Sequence, residues 1–193
     1  MKRLLALLGF FAAVSLAGEP QQAESPRLPF SEMFIGIEGG ELYPMGDLMD
    51  ALDNALYAQL QFRYSYYKAL DGYVHFGYSY LETTDDEIDF PGIHQFHGRV
   101  GLLWHVPRVE SIRLGGGFSC IWARSDGGSA STKLGGTLND NESEFGWHAR
   151  LDLAAFRLEN WNVGFNAYWE QIWTLPERSN TLWFGVYLER RLR

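Results

Sequence analysis

From about Met33 to the last residue, large apolar side chains alternate with polar ones or glycine, run after run. The segment Leu56-Tyr57-Ala58-Gln59-Leu60-Gln61-Phe62-Arg63-Tyr64-Ser65-Tyr66 shows the pattern best. Leu56, Ala58, Leu60, Phe62, Tyr64 and Tyr66 share one face; Tyr57, Gln59, Gln61, Arg63 and Ser65 share the other. A period of two is what a β-strand between two different environments imposes, whereas a helix repeats near 3.6. The alternation excludes a helical chain and leaves one question open. An apolar face turned inward makes a soluble β protein; turned outward, it makes a membrane barrel.

The N-terminus carries an export pattern. Lys2 and Arg3 precede the apolar run Leu4 to Val14, and Ser15-Leu16-Ala17 supplies small residues for cleavage near Ala17. The run is too short for a membrane anchor, so residues 1–17 are expected to be a secretory signal peptide. No Cys follows Leu16-Ala17-Gly18, which argues against a lipoprotein. Residues 18–32, with Pro20, Pro26 and Pro29, lack periodicity and read as a flexible periplasmic leader. Residues 33–193 form the barrel domain. No later stretch has 18 consecutive apolar residues, so no transmembrane helix is expected.

Net charge is −8, and removing Lys2 and Arg3 takes it to −10. So acidic a chain is a poor partner for nucleic acid. Cys120 is the single cysteine, so an exported chain of this kind has no disulfide framework. It reads as a small apolar side chain. Aromatic residues at 16% and 21 glycines complete an all-β composition.

The alternating runs number about eight. They span Met33–Leu42, Leu56–Tyr66, Tyr73–Leu81, Gln95–Val106, Ser111–Arg124, Glu144–Phe156, Trp161–Trp173 and Thr181 to the end. Many are near the length that crosses a bilayer at a tilt. Lys68 to Gly72, Pro107 to Glu110 and Arg157 to Asn160 are short connections. Tyr43 to Ala55, Glu82 to His94, Ser125 to Ser143 and Thr174 to Asn180 are longer. Strict alternation of short and long is the asymmetry of an up-and-down barrel in an outer membrane, with tight periplasmic turns and longer outer loops.

Volume, glycine and charge decide the faces. An eight-stranded barrel has an interior just wide enough for side chains to fill it. The Phe, Trp, Tyr and Leu of every apolar row would overfill that space, so those rows face lipid. The other face carries Gly36, Gly40, Gly77, Gly101, Gly115, Gly117, Gly146, Gly164 and Gly185, which make room for Tyr57, Tyr73, Tyr168, Trp183 and Tyr187. It also carries the charged and histidine residues Glu38, Arg63, His75, His97, Arg99, Arg113, His148, Arg150, Asp152, Glu170 and Glu189. Buried charges persist only when paired and hydrogen-bonded. Arg63, Arg99, Arg113 and Arg150 are therefore expected to pair with Glu38, Asp152, Glu170 and Glu189 in a network that plugs the lumen. On the lipid face two belts of amphipathic rings are expected. Tyr64, Tyr66, Trp104 and Trp161 fall near the periplasmic ends, and Tyr78, Tyr80, Trp122, Trp147 and Trp169 near the outer ends.

These rows, the Tyr43-Pro44-Met45-Gly46-Asp47 segment and the closing strand Trp183-Phe184-Gly185-Val186-Tyr187-Leu188 together resemble the small outer-membrane barrels of Gram-negative bacteria. That group includes the OmpA transmembrane domain, OmpX and OmpW. The first segment looks like the Pro-x-Gly-Asp turn of such proteins, and the closing strand like a recognition strand for the barrel assembly machinery. The chain departs from the pattern by finishing Glu189-Arg190-Arg191-Leu192-Arg193 instead of on Phe. The resemblance implies an eight-stranded antiparallel up-and-down transmembrane β-barrel in the cell outer membrane, monomeric, among outer-membrane lipids and lipopolysaccharide.

Some barrels of this group modify lipid A, so the resemblance brings catalysis into question. No His-x-Ser pair with a nearby acid is present, and no serine is identifiable as a nucleophile beside His94 or His97. The acidic stretch Glu82 to Asp89 lacks the spacing of a calcium loop. His94 and His97, three apart on a strand, point to opposite faces and make no zinc pair. Gly115-Gly116-Gly117 precedes no helix and reads as lumen packing or a bend in the strand. The sequence thus predicts no catalytic, cofactor or metal residues. The expected role is structural, adhesive or surface-binding, with a narrow porin-like channel for small solutes as the alternative and a lipid A-modifying enzyme third.

Overall fold

The computed structural model describes residues 32–46, 52–67, 69–84, 92–109, 111–125, 142–173 and 178–192. Among them are eight strands: β1 (Glu32–Met45), β2 (Ala55–Tyr67), β3 (Leu70–Glu82), β4 (Gly92–His105), β5 (Ile112–Ser125), β6 (Glu142–Arg157), β7 (Trp161–Ile172) and β8 (Ser179–Arg191). Each pairs antiparallel with its neighbours in the chain, and β8 closes onto β1. The fold is an all-β, eight-stranded up-and-down barrel. Closure leaves no unpaired sheet edge, which is what an extended chain needs where no water can satisfy its backbone. The expected signal segment 1–17, residues 18–31 of the leader, the acidic residues 85–89 and the glycine-rich stretch 126–141 lie outside the described residues.

The register sets the tilt. Cross-strand partners lead from Ile35 to Phe62, Val74, Val100, Phe118, Trp147, Gln171 and Asn180, then back to β1 at Met45. The circuit therefore closes ten residues further along β1 than it began, at Met45 rather than Ile35. With ~3.3 Å per residue and ~4.8 Å between strands, that offset tilts the strands by about 40°. Apart from Gln171 and Asn180, every residue on the circuit is large and apolar, so it traces a hoop of lipid-facing side chains.

Three boundaries differ from the sequence expectation. β3 begins at Leu70 rather than Tyr73, so Asp71-Gly72 is strand and not turn. A bulge between Ser65 and Tyr67 shifts the register there, so that Tyr67 pairs with Leu70. β1 runs through Tyr43, Pro44 and Met45, and only Gly46, at φ 66°, takes the left-handed turn conformation. Pro44 fits because it lies beyond the last β1–β2 pair, Leu42 with Ala55. Elsewhere the strands extend or retract by one to three residues.

Candidate functional site

The two faces separate cleanly. Leu56, at 79% exposure, and Phe118, at 67%, stand on the outside with Ile37, Leu60, Phe76, Val100 and Leu102. Inside lie Glu38, Arg63, Asp71, Arg99, Arg113, Arg150, Asp152, Glu170 and Glu189, all buried. A water-soluble protein inverts this arrangement. Apolar side chains outside a closed barrel and charged ones within are the surface of a protein solvated by lipid.

Local packing explains the glycines. The Tyr57 hydroxyl lies 2.2 Å from where a Cβ on Gly185 would sit, the Tyr187 hydroxyl 2.4 Å from that of Gly164, and the Tyr73 hydroxyl 2.5 Å from that of Gly101. Each tyrosine lies over a glycine on a nearby strand. The missing methyl groups are what let large rings lie across so narrow a lumen.

The rings steer the charges. Arg99 meets Glu170 through two parallel bonds, Nε to Oε1 at 3.0 Å and Nη2 to Oε2 at 2.9 Å. Its guanidinium also stacks 4.1 Å above the Trp183 ring. Arg63 holds Glu189 in the same two-pronged way, at 3.1 and 2.6 Å, and reaches Asp71 at 2.5 Å. Arg113 bridges Asp152 at 3.1 Å and Glu189 at 3.3 Å. Arg150 contacts Asp152 at 2.5 Å and lies 3.7 Å from Glu38. Glu38 collects bonds from Gln59 at 2.6 Å, Tyr168 at 2.8 Å and Tyr57 at 2.9 Å. The pairings thus link all eight strands across the interior.

Asp71 is the network member that the sequence reading omits. Its Oδ2 meets both Arg63 Nη1, at 2.5 Å, and His105 Nε2, at 2.7 Å. Its burial follows from β3 starting early. With Asp71, the buried carboxylates number five against four guanidiniums, and His105 sits beside the fifth.

The lumen is not polar throughout. Toward the rim of the long connections, Leu42, Leu52, Ala55, Tyr57, Leu81, Tyr168 and Trp183 form an apolar cluster, with Ile93 packed against it. Leu52 comes from the β1–β2 connection. It bridges to Thr83, and the Asp53 N–H donates to the Glu82 carbonyl at 2.9 Å. Leu52 and Asp53 are thereby pinned to the end of β3. The sequence signal for this plug is weak: only Leu42 and Leu81 of its leucines fall on the otherwise polar beat of a strand.

The histidines divide as their spacing requires. His97 is buried and bonds Ser79 Oγ at 2.9 Å, with Trp183 edge-on at 4.7 Å. His94 lies outside with Tyr78, whose hydroxyl is 2.7 Å from Nδ1, and with Tyr80. A second serine–histidine contact joins Ser119 Oγ to His148 Nδ1 at 2.9 Å, and Tyr73 holds Nε2 at 2.5 Å. The sequence separations of these pairs hid them. Both pairs are buried in the lumen, and each joins neighbouring strands, β3 with β4 and β5 with β6. Among the described residues no group of three or more His, Cys, Asp or Glu could hold a metal ion.

The ring belts lie on the outward rows. Tyr66, Trp104 and Trp161 are exposed toward the short-turn rim, and Tyr64 packs edge-on against Tyr66 at 5.1 Å. Arg190 lies over the Trp161 ring. Toward the other rim stand Tyr78, Tyr80 and Trp122, and Trp147 meets Trp169 edge-on at 4.7 Å. Trp173, exposed, joins this upper set.

No protein-family model matches the chain, and no curated protein matches it by sequence. Solved structures do. The barrel superposes on Neisserial surface protein A with a TM-score of 0.56 at 7% identity, covering 82% of this chain and 96% of that one. The outer membrane protein AlkL gives 0.56 at 11%, covering 91% and 97%. The outer membrane protein OprG of Pseudomonas aeruginosa gives 0.53 at 12%, covering 86% and 98%. The shared feature is the fold. Together with the inverted surface, the fold is that of a barrel that spans a bilayer, since closed barrels are the β solution to crossing lipid.

Proposed function

We propose that this chain is a monomeric outer-membrane barrel with a structural, adhesive or surface-binding role and no chemistry of its own. The observation that carries the reading is the filled lumen: a two-pronged ion-pair network in its middle and an apolar plug at one mouth. A barrel packed in this way acts through what it presents at its outer rim. The name of Neisserial surface protein A, which shares the fold, accords with a surface role. Export by residues 1–17, insertion by the barrel assembly machinery, and contact with lipopolysaccharide belong to the same reading.

Membrane fractionation with a heat-modifiability gel tests its base. The folded barrel is expected in the outer-membrane fraction, migrating faster before boiling than after. Recovery in the soluble periplasmic fraction would overturn it.

A second reading, a narrow channel for small solutes, is favoured by one observation. Asp71 Oδ1, His97 Nδ1, Arg113 Nε, Asn166 Nδ2 and the Tyr187 hydroxyl are buried polar atoms with no partner among the described residues. Atoms of this kind are satisfied by internal water. Planar-bilayer recording separates the readings: steady conductance from the unaltered protein supports the channel, and a silent trace supports the plug.

A further inference from the structure

Glu41 stands exposed on the lipid-facing row of β1, between Leu56 on β2 and Phe184 on β8. At ~3.3 Å per residue and a tilt of about 40°, each residue climbs about 2.5 Å along the barrel axis. Glu41 therefore lies about 5 Å below Tyr43, and about 10 Å below the end of β1. The register puts it level with Trp147 and Tyr78 of the upper ring belt, at the interface where lipid headgroups lie. Tyr43 partners the carboxylate. Its hydroxyl donates to Glu41 Oε2, and its ring packs edge-on against Phe184 at 5.8 Å. The carboxylate has no cation beside it among the described residues.

Immediately below Glu41 the barrel wall is hollowed. Gly39 and Ala58 are cross-strand partners. They form the floor of an outward-opening furrow of about 860 Å³, walled by Ile37, Leu60, Phe76 and Val186. The furrow exists because the two smallest outward residues of β1 and β2 face each other in a row of large ones. Its volume lies in the range of ligand clefts.

We propose that this furrow and Glu41 form one lateral site for an amine-bearing amphiphile of the bilayer. The apolar chain lies along Gly39 and Ala58, and the ammonium pairs with the Glu41 carboxylate. Charge selects this occupant: beside an interfacial carboxylate an ammonium headgroup is attracted, whereas an anionic head is repelled. The site rests on the membrane-spanning reading given above.

The test uses the folded protein in phosphatidylcholine vesicles with two spin-labelled probes, stearylammonium and stearate. The motionally restricted share of the ammonium probe is expected to exceed that of stearate severalfold. Glu41→Gln should bring the two to the same level. Ala58→Phe should cut the ammonium share by filling the furrow. Gly39→Val is a second filler, since its added Cβ meets only the Tyr57 carbonyl, at 3.3 Å. Equal shares in the unaltered protein, or a preference that survives Glu41→Gln, would overturn the site. So would a second copy of the chain cross-linking across the furrow. A heat-modifiability gel on each variant reads folding separately, so failure to insert is distinguished from failure to bind.

Discussion

Arg99 and Glu170 face each other across the barrel, Nε to Oε1 at 3.0 Å and Nη2 to Oε2 at 2.9 Å, with both side chains fully enclosed. Their strands, β4 and β7, are not neighbours in the sheet. Removing one partner strands a charge in the interior. Glu170→Gln or Arg99→Leu is expected to destabilise the barrel by ~3–5 kcal/mol, whereas the double change to apolar residues of similar volume should recover most of the loss. Denaturant titration of the barrel folded in vesicles measures both. A single variant that costs less than about 1 kcal/mol would count against the pairing.

Gly185 lies under the Tyr57 hydroxyl, and that hydroxyl donates to Glu38 at 2.9 Å. Gly185→Ala puts a methyl 2.2 Å from the tyrosine oxygen. The ring must lift, and Glu38 loses a donor. A loss of ~1–3 kcal/mol is expected. Tyr57→Phe in the same background should cost little further, because the hydrogen bond is already gone. A full additional loss would show that the ring had not moved.

Val100 lies near the middle of β4 on the lipid face, exposed. Val100→Arg should cost ~2–4 kcal/mol, and Trp122→Arg, in the upper ring belt, ~0–1 kcal/mol. The depth dependence of these costs checks where the bilayer sits along the strands. Equal costs would displace the belt assignment.

Leu52 seals the mouth above Trp183. Leu52→Asp introduces a charge into an apolar plug and is expected to release the β1–β2 connection from Thr83. In planar bilayers this variant should conduct where the unaltered protein is silent, while leaving the Arg63–Glu189 and Arg99–Glu170 pairs intact. A silent Leu52→Asp barrel would show that the polar network alone blocks the lumen.

The strand number, the direction of each face and the lumen position of Arg63, Arg99, Arg113 and Arg150 are legible from the period-two alternation, because each follows from local geometry. The partners of these arginines are not. Arg63 lies 126 positions from Glu189, and only the ten-residue offset on closure brings them together. Asp71 was hidden by a different cause. Asp-Gly is a strong turn signal, and the bulge after Ser65 moved the turn upstream of it. The plug at Leu42, Leu52 and Leu81 was hidden because a face dominated by charge at one end was read as polar along its whole length. The Ser79–His97 and Ser119–His148 contacts depend on cross-strand placement, which no local spacing reports.

A cylinder held only by hydrogen bonds in its wall can be squashed into an ellipse at little expense, since each strand pair acts as a hinge. Arg63 with Glu189 spans β2 to β8, Arg99 with Glu170 spans β4 to β7, Arg113 with Glu189 spans β5 to β8, and Arg150 with Glu38 spans β6 to β1. These pairs run like spokes across a wheel, in several directions at once. They hold the cross-section round against lateral pressure from the bilayer. A rim kept round from within does not depend on the segments joining its strands, so those segments are free to vary in length and chemistry without deforming the frame that carries them.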